Sequence, residues 1–224
     1  VAVSSKERLQ KEYDFLETLE AAVGAKSGLG GSETDMLSAL GAEVRRAEAE
    51  ADEIADRIRQ THGRHNFRLK VGRIFSVSNP KVNEAFEKDG AKVGGIKQLF
   101  HGSRNANILG ITSLGIRIKP LGVPTAGSLF GNGAYFADQS TKSAQYAREG
   151  NRPPHYLFIC DVALGRIYEA PDMVSSPPRG YNSVQGVGGK TLMGSRYSTL
   201  QNNEYIVYRE SQSRPVFVAE IEFV

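Results

Sequence analysis

The sequence predicts an α+β protein of mainly antiparallel sheets with helices at its margins. Three observations carry that prediction. Short strand-like stretches recur between glycine-rich connections, and the 224 residues include 24 glycines. No regular strand–helix–strand alternation is present, and no GxGxxG leads from a strand into a helix, which sets aside a doubly wound dinucleotide fold. Clear helical periodicity is confined to the first sixty or so residues.

The elements follow in order. Residues 5–23 and 36–60 read as helices joined by the Gly/Ser-rich linker AKSGLGGSE at 25–33. In the second, Leu37, Leu40, Val44, Ala47, Ala51, Ile54 and Ile58 step by threes and fours, with Arg45, Arg46, Glu48, Glu50, Asp52 and Glu53 on the other face. Gly41 places the start of this helix nearer Ala42. From Asn66 the texture changes, and FRLKVGRIF alternates apolar and basic residues as a half-buried strand does. Further strands are expected at 98–101, 156–162, 205–208 and 216–224. In the last, Phe217, Ala219, Ile221 and Phe223 share one face while Glu220 and Glu222 share the other. The stretch FGNGAYFADQSTKSAQYA at 130–147 reads as a tight Gly131–Gly133 turn, a short strand, and a helix capped by Ser140 or Thr141.

Composition narrows the class. A 40% hydrophobic and 24% charged chain is globular, and no apolar run nears the roughly 20 residues that span a bilayer. The start, VAVSSKERLQ, lacks the order of a secretory signal. A lone cysteine, Cys160, excludes an internal disulfide and a multi-cysteine metal site, which points to an intracellular protein. The net charge of +3 divides into −4 over residues 1–66 and +7 over 67–224. The basic half suits an anionic ligand, but no dense Lys/Arg stripe marks a nucleic-acid footprint. His62 and His65 in THGRH have metal-compatible spacing without acid or thiol partners, so no metal is expected. His155 is expected to be exposed and Cys160 to lie in the core, and Tyr205 and Tyr208 are expected to pack against a sheet.

Three places put polar residues at strand ends. In LFHGSRNANILGITSLGIRI, residues 99–118, His101 closes an apolar strand and Gly102 lets a ligand approach the backbone. A bare N–H and C=O there would match a carboxamide, and His101 could hydrogen-bond a neighbouring hydroxyl. In the second place, Tyr135, Lys142, Ser143 and Tyr146 surround one glycine-hinged turn. In the third, NNEYIVYRE at 202–210, Glu204 precedes an apolar-aromatic strand. Facing a sugar, its carboxylate could hold a ribose hydroxyl and stabilise positive charge at the anomeric carbon.

Each signal is weak alone, but their order is specific. His-Gly-Ser, then Gly-Xaa-Gly-Xaa-Tyr-Phe-Ala, Lys-Ser-Xaa-Xaa-Tyr and Asn-Glu-Tyr resembles the catalytic domain of the poly(ADP-ribose) polymerase family. ALGRIYEA at 163–170, GYNSVQGVGGKT at 180–191 and EYIVY at 204–208 extend the resemblance, which runs from about Ile54 to Val224. It implies an ADP-ribosyltransferase-like fold over residues 66–224, preceded at 1–65 by a helical remnant of a regulatory domain. It also implies transfer of ADP-ribose from NAD to protein acceptors, the chain itself among them, with release of nicotinamide. Extension into poly(ADP-ribose) is left open. His101, Tyr135 and Glu204 fall on the family's catalytic triad. Gly102 and Ser143 would hold the nicotinamide carboxamide, Tyr146 would stack on its ring, and Tyr135 would form the opposite wall. His101 would bind a ribose hydroxyl. Ser103, Gly110 and Arg117 would line the adenosine side, with Lys142 beside Glu204. The location implied is the nucleus of a eukaryote, or the cytoplasm of a bacterium or virally infected cell.

Two departures qualify the resemblance. Only about 65 residues precede the strands, so basal activity without a DNA trigger is expected. The segment between Gly188 and Glu204 is short, which leaves polymer length open. The loop 119–133, with Pro120 and Pro124, is expected to form a semi-rigid lid over the donor pocket. Rival readings are a binding module without turnover, a transferase acting on nucleic-acid ends, and a scaffold built on helix 36–60.

Overall fold

The computed structural model describes residues 41–118, 129–148, 153–170, 172–189, 192–193, 196–198 and 200–224. The helix expected at 5–23, the linker at 25–33 and the prolines of the expected lid lie outside the described residues. The first half of the described chain holds β1 (Glu43–Arg46), α1 (Ala51–Gln60), β2 (Leu69–Ser78), α2 (Pro80–Ala85), β3 (Ile96–Gly102) and α3 (Ile108–Leu114). Then come β4 (Ala134–Phe136), α4 (Ser140–Ala144), β5 (His155–Ala163), β6 (Ile167–Ala170), β7 (Ser183–Gly186), β8 (Leu192–Met193), β9 (Arg196–Tyr197), β10 (Glu204–Val207) and β11 (Ser213–Phe223).

Two main sheets result. The larger runs β1-β2-β11-β5-β3, every pair antiparallel. The smaller runs β4-β10-β7-β6, antiparallel except for the parallel β6–β7 pair. A two-stranded β8–β9 ribbon stands apart. The predicted α+β class with mainly antiparallel sheets is the observed one.

The core follows from period-two alternation on strands buried on both faces. Along β5, Phe158, Cys160 and Val162 enter one apolar cluster with Leu99, Phe136, Tyr205, Val207 and Val218. The intervening Leu157 and Ile159 enter another, under α1, with Ile54, Ile58, Ile74, Phe100, Ala219 and Ile221. A third cluster, Phe130, Ala170, Val184 and Ile206, covers the far face of the smaller sheet. Burying one such side chain contributes roughly 1.5–3 kcal/mol, so these alternating strands dominate stability.

The structure corrects three expectations. The helix expected over 36–60 is a strand at Glu43–Arg46 and a helix only from Ala51. Val44 is paired with Val77 in the ladder, and sheet pairing overrides a weak helical propensity. The larger sheet therefore reaches back to Glu43. Neither Ser140 nor Thr141 caps α4; Gln139 holds the cap position without a side-chain bond. The Ser140 hydroxyl instead donates to the Ile58 carbonyl at 2.6 Å, and the Thr141 hydroxyl accepts from Gly63 N–H at 2.8 Å. His155 is buried, not exposed, because it opens β5 opposite Ile221 and packs edge-on against Phe223 at 5.1 Å. Cys160 lies in the core as expected, and Tyr205 and Tyr208 pack on the smaller sheet.

Candidate active site

The cleft forms where the edge of the larger sheet meets the smaller one. Phe100 N–H donates to the Ala137 carbonyl at 2.8 Å, and Ala137 N–H returns a bond to the Phe100 carbonyl at 3.0 Å. This pair of bonds brings the end of β3 beside β4. His101 Nδ1–H then donates to the Tyr135 carbonyl at 2.9 Å. A carbonyl only accepts, so Nδ1 carries the proton and Nε2 keeps its lone pair. Burial holds the His101 imidazole below its ordinary value, outweighing the opposing pull of the Tyr135 bond, and the ring is neutral at pH 7.

Gly102 follows at a point of close approach. A Cβ there would sit far inside van der Waals distance of the Ser143 carbonyl oxygen. Only glycine lets β3 lie this close to α4. The Ser143 hydroxyl donates to the Phe100 carbonyl at 2.8 Å, a second tie between the same two elements.

Tyr135 and Glu204 come from paired strands. Tyr135 is opposite Ile206 in the β4–β10 ladder, and Glu204 lies two residues from Ile206. Strand alternation therefore places Tyr135, Ile206 and Glu204 on one face of the smaller sheet, the face turned from the inter-sheet core. The Tyr135 hydroxyl accepts from Phe130 N–H at 3.0 Å and donates to the Gly131 carbonyl at 2.8 Å, fixing the expected glycine turn. Gly131 has φ of 73°, a left-handed conformation that favours glycine.

Glu204 is 8% exposed, and its Oε1 lies 2.7 Å from Lys142 Nζ. Lys142 also donates to the Tyr146 hydroxyl at 3.2 Å and lies 5.2 Å from the centre of that ring. Burial pulls the Lys142 ammonium down, but the bond to Glu204, the Glu204 charge and Tyr146 outweigh it, so Lys142 is held above its ordinary value. The pair is thus a nearly buried ion pair at the cleft wall.

All ten residues singled out in the sequence line one cleft: His101, Gly102, Ser103, Gly110, Arg117, Tyr135, Lys142, Ser143, Tyr146 and Glu204. Its volume, about 850 Å³, is in the range of ligand pockets. Ser103 accepts from the Asn107 amide at 2.9 Å. Arg117 Nε lies 3.0 Å from Glu210, an ion pair by distance that is misaligned as a hydrogen bond. Tyr146 is the most open of the ten at 56% exposure, leaving its ring free to meet a flat ligand. Leu109, Ile111, Leu114 and Ile116 form an apolar wall that the sequence reading missed. The apolar spacing in ILGITSLGI carried that signal, but it is equally the pattern of a core helix.

Among the described residues, no group of three or more His, Cys, Asp or Glu side chains could hold a metal. His62 Nε2 lies 2.5 Å from the Phe67 carbonyl, and His65 Nδ1 lies 2.9 Å from the Thr141 hydroxyl. No helix among the described residues is long and apolar enough to cross a membrane.

Two mainly antiparallel sheets meet at this cleft, to which β3, β4 and β10 deliver a histidine, a tyrosine and a glutamate, and the mixed architecture is that of the ADP-ribosyltransferase fold. A sequence model described as the poly(ADP-ribose) polymerase catalytic domain matches residues 48–223. The chain belongs to the poly(ADP-ribose) polymerase catalytic-domain family. It is 38% identical to poly(ADP-ribose) polymerase 1 of Oryza sativa subsp. japonica, over 69% of this chain and 18% of the relative. Identity to poly(ADP-ribose) polymerase 1 of Arabidopsis thaliana is 32%, with the same two shares. Identity to poly(ADP-ribose) polymerase 2 of Zea mays is 35%, over 79% of this chain and 31% of the relative. The chain therefore spans under a third of the length of these relatives.

Proposed function

We propose that this chain transfers ADP-ribose from NAD to protein side chains and releases nicotinamide. The observation that carries the reading is convergence: His101 from one sheet meets Tyr135 and Glu204, on one face of the other, in a single cleft. The names of its relatives support it. In this reading Gly102 and Ser143 hold the nicotinamide carboxamide, and Tyr146 and Tyr135 enclose its ring. The lone pair on His101 Nε2 accepts from a ribose hydroxyl. Ser103, Gly110 and Arg117 lie along the adenosine half.

Glu204 is the catalytic residue of this reading. As the bond to nicotinamide breaks, positive charge develops on the ribose, and a fixed carboxylate stabilises that charge more than it stabilises the ground state. Lys142 holds the carboxylate in place through its 2.7 Å contact. The same acid can accept a hydrogen bond from the incoming nucleophile. NAD serves as substrate, and no step calls on a metal. We extend the reading to self-modification and to growing ADP-ribose chains as acceptors, inside the cell and in the nucleus of a eukaryote.

Incubation with NAD labelled on the adenylate, followed by denaturing gel analysis, tests the proposal. A sharp labelled band indicates single transfer and a smear indicates chain growth. Absence of covalent label overturns the reading in favour of a binding module, and label lost to nuclease but not protease overturns the choice of acceptor.

A further inference from the structure

Asp138 follows β4, outside the group of residues that line the cleft, and the function above assigns it no part. Its Oδ2 accepts two bonds, one from the Asn203 amide nitrogen at 2.8 Å and one from the Tyr205 hydroxyl at 3.1 Å. These two donors are the immediate neighbours of Glu204 on either side. Alternation sends Tyr205 to the face opposite Glu204, and the Asn203 amide, just ahead of the strand, reaches the same carboxylate. One carboxylate oxygen thus holds both flanks of Glu204 from behind while Lys142 meets it in front.

Gly188 N–H donates to Asn203 Oδ1 at 2.8 Å, so the amide oxygen is engaged and the NH₂ group is the one that faces Asp138. Burial, followed by the charge and hydrogen bond of Asp138, raises the Tyr205 phenol above its ordinary value, so it remains a donor. Lys97 braces the same ring, with Nζ 4.8 Å from its centre. The other oxygen, Asp138 Oδ1, is buried without a hydrogen-bond partner among the described residues.

We infer that Asp138 is a positioning residue that aims Glu204 into the cleft by anchoring the side chains of Asn203 and Tyr205. The inference rests on the transferase reading for its effect on turnover, but its geometric content is independent of that reading. With the anchor removed, the entry to β10 at Asn203 and Glu204, ahead of the pairing with β4, can shift and carry the Glu204 carboxylate away from Lys142. A displacement of about 1 Å at a reacting group can cost on the order of 10² in rate.

The test uses the full chain and two readouts. Asp138→Ala is expected to lower kcat for ADP-ribose transfer by about 10- to 100-fold while changing KM for NAD by less than about threefold, a loss of aim and not of binding. Asp138→Asn keeps an oxygen for both donors and is expected to restore kcat to within about fivefold. The second readout is an NMR titration of the Lys142 ammonium, assigned by its loss in Lys142→Arg. Its midpoint is expected to fall toward the ordinary lysine value in Asp138→Ala as Glu204 moves away, and to hold in Asp138→Asn. Tyr205→Phe removes one of the two ties and leaves the carboxylate in place, so it covers the case in which Asp138→Ala does not fold; a smaller shift in the same direction is expected. An unmoved Lys142 midpoint in a folded Asp138→Ala or Tyr205→Phe variant overturns the inference, as do equal losses of kcat and NAD affinity. A wild-type chain without transfer activity defeats the function proposed above, and the Lys142 titration still decides the role of Asp138.

Discussion

The two walls of the cleft are held by different means. The β3 wall, bearing His101 and Gly102, is fixed by main chain: the ladder to β5, the paired bonds between Phe100 and Ala137, and a glycine pressed against the Ser143 carbonyl. The β10 wall, bearing Glu204, is laddered to β4 and β7, and the aim of its acid is set at the mouth by side chains: Lys142 on one face, Asn203 and Tyr205 reaching Asp138 on the other. A wall held by main chain tolerates no added volume and responds to substitution through folding. An acid aimed by side chains can be turned away while the fold persists.

Four substitutions or conditions break or sharpen that contrast. The largest effect is expected at Gly102→Val, which must push β3 off α4. Overpacking of this kind costs about 1–3 kcal/mol, and a backbone clash adds to it. Thermal melting should show a drop of several degrees together with loss of binding to a nicotinamide mimic such as a benzamide. An unchanged melting temperature would mean that the close approach is not rigid.

Glu204→Gln comes next. It should preserve melting temperature and NAD affinity within small factors while lowering transfer by on the order of 10², since the amide cannot supply the charge that the transition state uses. Equal loss of affinity and turnover, measured by binding and single-turnover kinetics, would make Glu204 structural. His101→Ala is expected to weaken NAD binding by about tenfold, the scale of one lost hydrogen bond. The readout is calorimetric titration, and unaltered affinity would remove His101 from the ribose site.

The smallest effect is on pH. Burial holds both His101 and His65 below the ordinary histidine value of 6.5, with Lys142 and His62 adding to the effect at His65. Below pH 6.5 the unfolded chain therefore binds more protons than the folded one, and stability falls as pH drops from that value. Glu220, held low by its hydrogen bond to Arg73 against the opposing effect of burial, adds a further loss below about pH 4.5. Melting curves between pH 7.5 and about 5 should show the first decline, and His65→Gln should flatten it.

The sequence revealed the interior strands because their alternation is strong. β5 is apolar on both faces through its middle, and β11 alternates an apolar face with one bearing Glu220 and Glu222, patterns that only strands between glycine-rich breaks fit. β1 was illegible: EVRR is short and charged, and its state is decided by the free edge of β2, which lies far along the chain. Val44 and Ala47 happened to fit a helical stripe because both need burial, and burial has no period of its own. His155 was misjudged for a related reason, since its cover, Phe223, comes from the other end of the chain. At the site, residue identities and order carried the reading, whereas Asp138 stayed hidden. Its partners at 203 and 205 meet it only through the β4–β10 pairing.

That pairing has a consequence for how the acid can be lost or kept. β10 is flanked by β4 on one side and β7 on the other, with Tyr205 opposite Phe136 and Gln185. Sliding the strand by a single step would swap its two faces, sending a carboxylate into the oily interior and a phenol out to the ligand. Both neighbours would resist it at once. The face that residue 204 presents is therefore written into the two ladders of its own strand.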